Sequence, residues 1–99
     1  MNEVYLNAFK APRQTLVAVC DENLLGSTFH QGRLKLEVKA DFYRGALASI
    51  DEALKAIDSA DVANLVGKAI VNAAVRVGLV DESAVLLVDG VPHVQIVRM

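Results

Sequence analysis

Apolar and polar positions divide the chain into short segments with distinct periods. Val4–Phe9 and Gln14–Cys20 are apolar and rich in strand-forming residues, and Pro12 between them favours a turn, so the two segments predict a hairpin. Arg33–Lys39 alternates charged and apolar residues without a break. Because side chains point to opposite faces along a strand, this segment predicts a strand with one buried and one solvated face.

Two helices are predicted in the second half of the chain. Ser49 and Glu52 match a capping box, and Ile50–Ile57 carries its apolar residues on one helical face. Val62–Val77 then places its apolar residues within an arc of about 140° at helical spacing, which predicts the longest helix. Gly78 supplies the positive φ that ends such a helix.

A last hairpin completes the predicted fold. Val85–Val88 and His93–Val97 are strand-like and flank Asp89 and Gly90, a pair typical of tight turns. The predicted order is βββααββ, which indicates an α+β two-layer sandwich with two helices on one face of a mainly antiparallel sheet. The 99 residues, 54% of them apolar, suffice for one hydrophobic core, so residues 1–99 are predicted to form a single domain.

The charge balance argues against a general nucleic-acid binder. The formal net charge is −2, whereas nonspecific binders of nucleic acid carry an excess of lysine and arginine. The first 49 residues nevertheless hold six basic and five acidic groups, and the remaining 50 hold four basic and seven acidic groups. A polyanion-binding face is therefore expected in the first half, around Arg33, Lys35, Lys39 and Arg44. The alternative is an ordinary solvated strand face.

Two adjacent aromatic residues suggest a more specific contact. Phe42 and Tyr43 lie between Lys39 and Arg44. Aromatic rings beside cations form the stacking sites of proteins that bind single-stranded RNA. Alternatively, the two rings cover the hydrophobic core.

An apolar pair on the long predicted helix suggests a second kind of contact. Val71 and Val75 lie one turn apart on its polar side, near Lys68 and Asn72. Single apolar residues on a surface are ordinary, but a pair on an apolar-rich chain suggests a homodimer or partner contact.

The residues capable of catalysis are few. Cys20 is the only cysteine, so an internal disulfide and cysteine-based zinc sites are excluded. Activated by His93 or His30, its thiol could serve a hydrolase or transferase, and the alternative is a buried, inert thiol. No histidine pair has metal-ligand spacing, so no metal or other cofactor is predicted. Gly67 and Lys68 lack the rest of a phosphate-binding loop and fall inside the predicted helix.

The sequence contains no pattern that would direct it to a membrane. No window of about 18 uninterrupted apolar residues occurs. The first residues mix polar and apolar side chains without the apolar core of a signal peptide. We therefore expect a cytoplasmic protein without a membrane segment.

Five motifs follow one another along the chain. They are Ala18–Gly26, then Leu34–Val38 with Phe42-Tyr43 and Gly45, then Ala63–Lys68, Gly78–Glu82 and Gly90–Gln95. Together they resemble the archaeal family catalogued as number 424 of the domains of unknown function. The resemblance implies an archaeal intracellular protein, lends support to an RNA- or ribosome-linked role, and transfers no catalytic residue. The candidate binding residues within these motifs are Asp21, Glu22, Phe42, Tyr43, Lys68 and His93.

Three hypotheses on function follow from the sequence. The first is a small non-enzymatic binding module in translation or RNA handling, whose partner is RNA or a ribosome-associated protein. The alternatives are an enzyme that depends on Cys20 and His93, and a structural subunit that dimerises through Val71 and Val75. The charged strand face and the aromatic pair favour the first hypothesis.

Overall fold

The computed structural model describes residues 3–98, which build a six-stranded sheet with the two longer helices on one face. The strands are β1 (Glu3–Ala11), β2 (Gln14–Asp21), β3 (Thr28–Gln31), β4 (Leu34–Glu37), β5 (Ala46–Ser49), β6 (Val62–Val66), β7 (Leu86–Val88) and β8 (Val91–Val97). The helices are α1 (Ala40–Tyr43), α2 (Ile50–Ser59) and α3 (Lys68–Arg76). The central sheet has the order β5-β1-β2-β6-β8-β7, and β3 and β4 form a separate hairpin.

The sheet is mainly antiparallel, as predicted. Neighbouring strands run antiparallel except β2 and β6, which pair in parallel. The predicted order βββααββ is wrong, because the chain inserts short strands and a short helix between the predicted elements. The simple two-layer description is also too coarse. Helices α2 and α3 pack on one face of the sheet, while the β3–β4 hairpin and α1 cover part of the other.

The largest departure from prediction is the segment predicted as one long helix, Val62–Val77. Its first five residues are strand β6, Gly67 turns the chain, and only Lys68–Arg76 is helical. Strand β6 lies between β2 and β8 and is covered on both faces, so it is apolar almost throughout. A short apolar run of this kind fits a buried strand and a buried helix equally well by periodicity.

The core consists of two layers separated by the sheet. Alternation along β2 shows the division, since Val17 and Val19 face the helices while Ala18 and Cys20 face the β3–β4 hairpin. Strand β2 is therefore a central strand that is apolar on both faces.

The helix ends follow the local sequence signals. Ser49 and Glu52 form the predicted capping box, in which the Glu52 amide donates to Ser49 Oγ and the Ser49 amide donates to Glu52 Oε1. Gly78 has a φ of +82°, and the Leu79 amide donates to the Ala74 carbonyl at 2.9 Å. This is the predicted glycine stop of a helix.

The opposite end of α2 has a cap that the sequence did not indicate. Arg98 Nη1 donates hydrogen bonds to the carbonyls of Ile57 and Ala60, at 2.7 and 2.8 Å. Carbonyl groups at the end of a helix lack partners within the helix, so this guanidinium supplies them. Within residues 3–98, no helix is long and apolar enough to cross a membrane.

Candidate functional site

Asp21 holds the junction between β6 and α3. It is 8% exposed, and its Oδ2 and Oδ1 accept hydrogen bonds from the amides of Ala69 and Ile70, at 2.8 and 3.0 Å. The 3-10 turn at Glu22–Leu24, which directly follows Asp21, receives no hydrogen bond from that side chain. The amides at the start of α3 are thus occupied by a carboxylate of the protein itself.

Gly67 makes this arrangement possible. Its φ is +117°, and a Cβ at this position would collide with the Asp21 carboxylate. The position therefore excludes any side chain both by backbone conformation and by space. Gly67 and Lys68 lie between strand β6 and helix α3 and not inside a helix as predicted. This order of strand, glycine, lysine and helix is similar to that of a phosphate-binding loop. However, the Asp21 carboxylate occupies the place where a bound anion would lie.

Cys20 lies in a setting that disfavours catalysis. The side chain is fully buried, and burial together with the charge of Asp21 raises the pKa of its thiol to about 12. His93 lies on β8, and both residues pair with Val66 from opposite sides, so strand β6 separates them. Adjacent strands are about 4.8 Å apart, which places the two Cα atoms roughly 10 Å apart. The arrangement favours the inert, buried thiol, because the nucleophilic form of cysteine is the thiolate.

The two histidines differ in environment. His93 is half-buried, and burial lowers the pKa of its imidazole. His30 is exposed on β3, in the hairpin that contacts β7. Across residues 3–98, no group of three or more histidine, cysteine, aspartate or glutamate side chains could hold a metal ion.

The cationic strand face is solvated. Lys35 is exposed on β4 and forms an ion pair with Glu37 at 3.3 Å, so its charge is partly offset. Lys39 and Arg44 are exposed at the two ends of α1. Glu22 is exposed in the turn after β2 and belongs to neither the hairpin nor α1. The candidate cations of the first half therefore do not form one continuous patch on the hairpin.

The two aromatic residues have separate roles. Tyr43 is 5% exposed and belongs to the core beneath the β3–β4 hairpin, where burial raises the pKa of its phenol to about 12. It does not form part of an accessible stacking surface, and the core-covering alternative holds for this ring. Phe42 is half-buried and meets Tyr43 edge to face, with ring centroids 5.0 Å apart.

The predicted dimer contact through Val71 is wrong. Val71 is 1% exposed and belongs to the core between α3 and the sheet. Val75 is half-buried and packs against the same core. The error follows from the predicted start of the helix at Val62, whereas α3 begins at Lys68. In the structure Val71 faces the core, and Val77, at the end of the predicted apolar face, is 57% exposed.

An uncovered part of the sheet provides a site that the sequence did not identify. Phe9, Leu16, Val62 and Val97 are register partners across β1, β2, β6 and β8, on the face opposite the helices. Phe9 is 41% and Val97 55% exposed, whereas Val62 is buried.

Polar residues form the next row. Asn64 and Gln95 are register partners on β6 and β8. Asn64 is half-buried and Gln95 is exposed. We call the surface formed by Phe9, Leu16, Val97, Asn64 and Gln95 the sheet platform.

Helix α1 completes the platform at one side. Phe42 stacks on Phe9 with ring centroids 5.4 Å apart and an interplanar angle of 16°. The Asn7 side-chain amide donates to the Phe42 carbonyl at 2.9 Å, which fixes α1 against β1. Lys39 and Arg44 flank Phe42 in sequence. Tyr5, Asn7 and Phe9 alternate along β1, so the sequence could have placed Phe9 on the same face of the sheet as Tyr5. The sequence does not show that the sheet is uncovered at Phe9.

Lys68 occupies a different surface. It is exposed at the start of α3 and lines a groove between this helix and the β7–β8 hairpin, together with Arg76. The groove and the sheet platform lie on opposite faces of the sheet. The predicted binding residues thus do not form one site. Asp21 and Tyr43 are buried, whereas Lys68 lies at the groove. Lys39, Phe42 and Arg44 belong to or adjoin α1 beside the platform, and Glu22, Lys35 and His93 belong to none of these groups.

Comparisons with known proteins agree with the resemblance seen in the motifs. The family model described as "Protein of unknown function (DUF424)" matches residues 9–99. A crystal structure of an uncharacterized conserved protein from Methanopyrus kandleri is similar to this chain, with a TM-score of 0.78 and 29% sequence identity. The match covers 95% of this chain and 90% of that one. No curated protein matches.

Proposed function

Since the chain belongs to the DUF424 family of proteins of unknown function, we propose from its surfaces that it is a small non-enzymatic module that binds single-stranded RNA. The site is the sheet platform. The observation that carries the proposal is the exposed ring of Phe9, held in a stack with Phe42 on an uncovered sheet face. A module of this kind fits a role in RNA handling or translation.

The chemistry of the platform matches an unpaired strand better than a duplex. A nucleobase stacks on an aromatic face regardless of its identity, which is how sheet surfaces bind single-stranded RNA. The amides of Asn64 and Gln95 carry both donors and acceptors, the groups that pair with base edges. A duplex hides its bases, so it would offer this surface little beyond its backbone.

Electrostatics predicts a modest dependence on salt. The cations beside the platform are Lys39, Arg44 and Arg13 in the β1–β2 turn, and all three are exposed. Contacts of about three phosphates give a slope of log affinity against log salt of about −2 for single strands. A net charge of −2 agrees with a module that gains much of its affinity from stacking and little from a general attraction to polyanions.

The direct test is fluorescence anisotropy with a labelled 12-nucleotide oligouridine and with an RNA hairpin of equal length. We expect the single strand to bind more tightly than the hairpin. Phe9→Ala should weaken binding of the single strand by about 5- to 150-fold, because stacking contributes about 1–3 kcal/mol per base. Lys39→Ala combined with Arg44→Ala should make the salt slope shallower by about 1.4.

Matched variants separate binding from stability. Lys55→Ala removes an exposed lysine from α2, on the other face of the sheet, and should leave the affinity and the salt slope unchanged. Phe9→Leu keeps an apolar side chain and removes the ring, so it should weaken binding while the unfolding midpoint stays close to that of the wild type. Undetectable binding of either RNA, or unchanged affinity of Phe9→Ala, would contradict the proposal.

A further inference from the structure

The helical layer of this fold stops one strand short of the sheet edge. Helix α2 contacts β1, β2 and β5, and α3 contacts β2, β6 and β8. Strand β7 lies beyond β8 at the edge of the sheet. On the helical side this leaves a groove of about 610 Å³ between α3 and the β7–β8 hairpin. We call it the α3 groove and define it by six of its lining residues: Lys68, Val75, Arg76, Val85, Leu87 and Pro92.

The middle of the groove is aliphatic. Leu87 points from β7 toward the helical side, as its register partner Pro92 does, and it is 56% exposed. Val75 forms the opposite wall from α3. None of the described residues that line the groove is aromatic, so the groove offers a base nothing to stack on. It suits an aliphatic side chain.

Two cations mark the ends of the groove. Lys68 and Arg76 are the first and last residues of α3, so their Cα atoms lie about 12 Å apart at 1.5 Å per residue. Both are exposed, and neither forms an ion pair with any residue from 3 to 98. Glu82 is the single acidic residue among the described lining residues. The groove therefore carries a net positive charge on a chain whose net charge is −2.

One wall of the groove is also an open strand edge. In the described part of the chain, β7 pairs with β8 on one side and with no strand on the other. A strand edge without a partner can accept an added strand, a recurring way in which proteins bind extended peptides. The β3–β4 hairpin contacts β7 from the face of the sheet opposite the groove.

We propose that the α3 groove binds an extended peptide segment of a protein partner, which adds to β7 as a further strand. Residues i, i+2 and i+4 of a strand share a face and span about 13 Å. This span matches the separation of Lys68 and Arg76. The segment therefore carries acidic residues at i and i+4 and an aliphatic residue at i+2, which contacts Val75 and Leu87. The inference goes beyond the proposed RNA site, because it concerns the opposite face of the sheet.

The test is an NMR titration of the ¹⁵N-labelled protein with synthetic decapeptides at up to about 2 mM, a range suited to weak peptide contacts. The probe peptide contains Glu-Thr-Leu-Thr-Glu between serine and glycine residues. A second peptide, with Glu-Leu-Thr-Thr-Glu, has the same composition but turns the leucine to the other face. A third, with Lys-Thr-Leu-Thr-Lys, reverses the charge. We expect the first peptide to shift the amide signals of Leu86–Val88 and of α3, and the other two to bind at least about tenfold more weakly.

Charge reversal in the protein provides the matched comparison. Lys68→Glu with Arg76→Glu should weaken the acidic peptide by about tenfold or more and should allow the lysine peptide to bind in its place. Lys55→Glu, on α2 and outside the groove, should change neither affinity. Exchange of preference between the two peptides cannot result from loss of folding, so it tests the recognition itself.

Several results would overturn the inference. They are no signal shift at the highest concentration of the acidic peptide, equal binding of the permuted peptide, and shifts confined to residues outside the groove. Displacement of the peptide by oligouridine at the same signals would instead assign the groove to RNA. Phe9→Ala should leave peptide binding unchanged, so failure of the RNA proposal and failure of this one are distinguishable.

Discussion

Replacement of Asp21 by alanine should destabilise this fold more than any other single polar substitution described above. The carboxylate is 8% exposed and accepts two backbone hydrogen bonds from the first turn of α3, from Ala69 and Ile70. Alanine would leave both amides without their protein partner, and the hydrogen bond to the Ile70 amide is buried. It would also remove the negative charge from the positive end of the helix dipole.

The magnitude follows from these contacts. A hydrogen bond to a charged group contributes about 1.5–3 kcal/mol, and loss of a helix N-cap side chain by itself costs about 0.5–2 kcal/mol. Two such bonds at a buried site predict a loss of about 3–5 kcal/mol for Asp21→Ala. Domains of this size have a total stability of about 5–15 kcal/mol, so the melting temperature should fall by roughly 15–25 °C. Asp21→Asn keeps one acceptor oxygen and the shape of the side chain, and should lose about half as much.

Gly67 provides a second, independent measure of the same contact. Gly67→Ala imposes a strained backbone conformation, costing about 1–3 kcal/mol, and drives the new Cβ into the Asp21 carboxylate. In an Asp21→Ala background the collision with the carboxylate is gone, and the close contact with the Cβ of residue 21 and the backbone strain remain. The double variant should therefore be more stable than the sum of the single effects predicts, by about 1 kcal/mol or more.

Urea unfolding followed by far-ultraviolet circular dichroism measures the wild type, the three single variants and the double variant, since the chain has no tryptophan to report unfolding by fluorescence. Equal slopes of free energy against urea would show that the same surface is exposed in each variant. A cost below about 1 kcal/mol for Asp21→Ala, or strictly additive effects of the two substitutions, would refute the argument that this carboxylate fixes α3 to the sheet.

Three further outcomes follow from the same structure. Arg98→Ala should lower the free energy of unfolding by about 1–3 kcal/mol in urea titrations, because Ile57 and Ala60 lose a charged donor, and an unchanged midpoint would exclude this cap. Cys20 should resist thiol reagents at pH 8 in native protein and react on unfolding, and fast native labelling would contradict its burial and its pKa of about 12. Burial lowers the pKa of His93, so the unfolded chain takes up its proton first as the pH falls. The wild type should therefore lose stability between pH 7.5 and 5.5, and His93→Gln should reduce that loss, whereas identical losses would exclude His93 as the cause.

Local signals were sufficient for a large part of the fold. The capping box of Ser49 and Glu52, the helix stop at Gly78 and the final hairpin all depend on residues close together in sequence, and the structure confirms them. The alternation of residues 33–39 also predicted correctly that Leu36 and Val38 are buried. Leu34, at the start of that strand, is 43% exposed because the hairpin covers the sheet only in part.

Long-range contacts account for the errors. The apolar pattern of Val62–Val66 is compatible with a helix or a strand. In the structure this segment is a strand because it pairs with β2 and β8 in the centre of the sheet. That choice also moved Val71 from a predicted surface into the core. Tyr43 was predicted as a ring on which RNA bases could stack, but in the structure it is buried in the core beneath the β3–β4 hairpin. In each case the residue pattern was compatible with two environments, and the packing selected one.

The sequence by itself determined the segments with clear periods, the helix caps, the charge balance and the family resemblance, since each depends on residue identity and near neighbours. Only the tertiary structure brought Asp21 to Ile70 across 49 positions and Asn7 to Phe42 across 35. Such contacts depend on strand order and on which faces remain uncovered. Neither is encoded in any short segment, because a strand's partners are chosen by the whole core that it helps to bury.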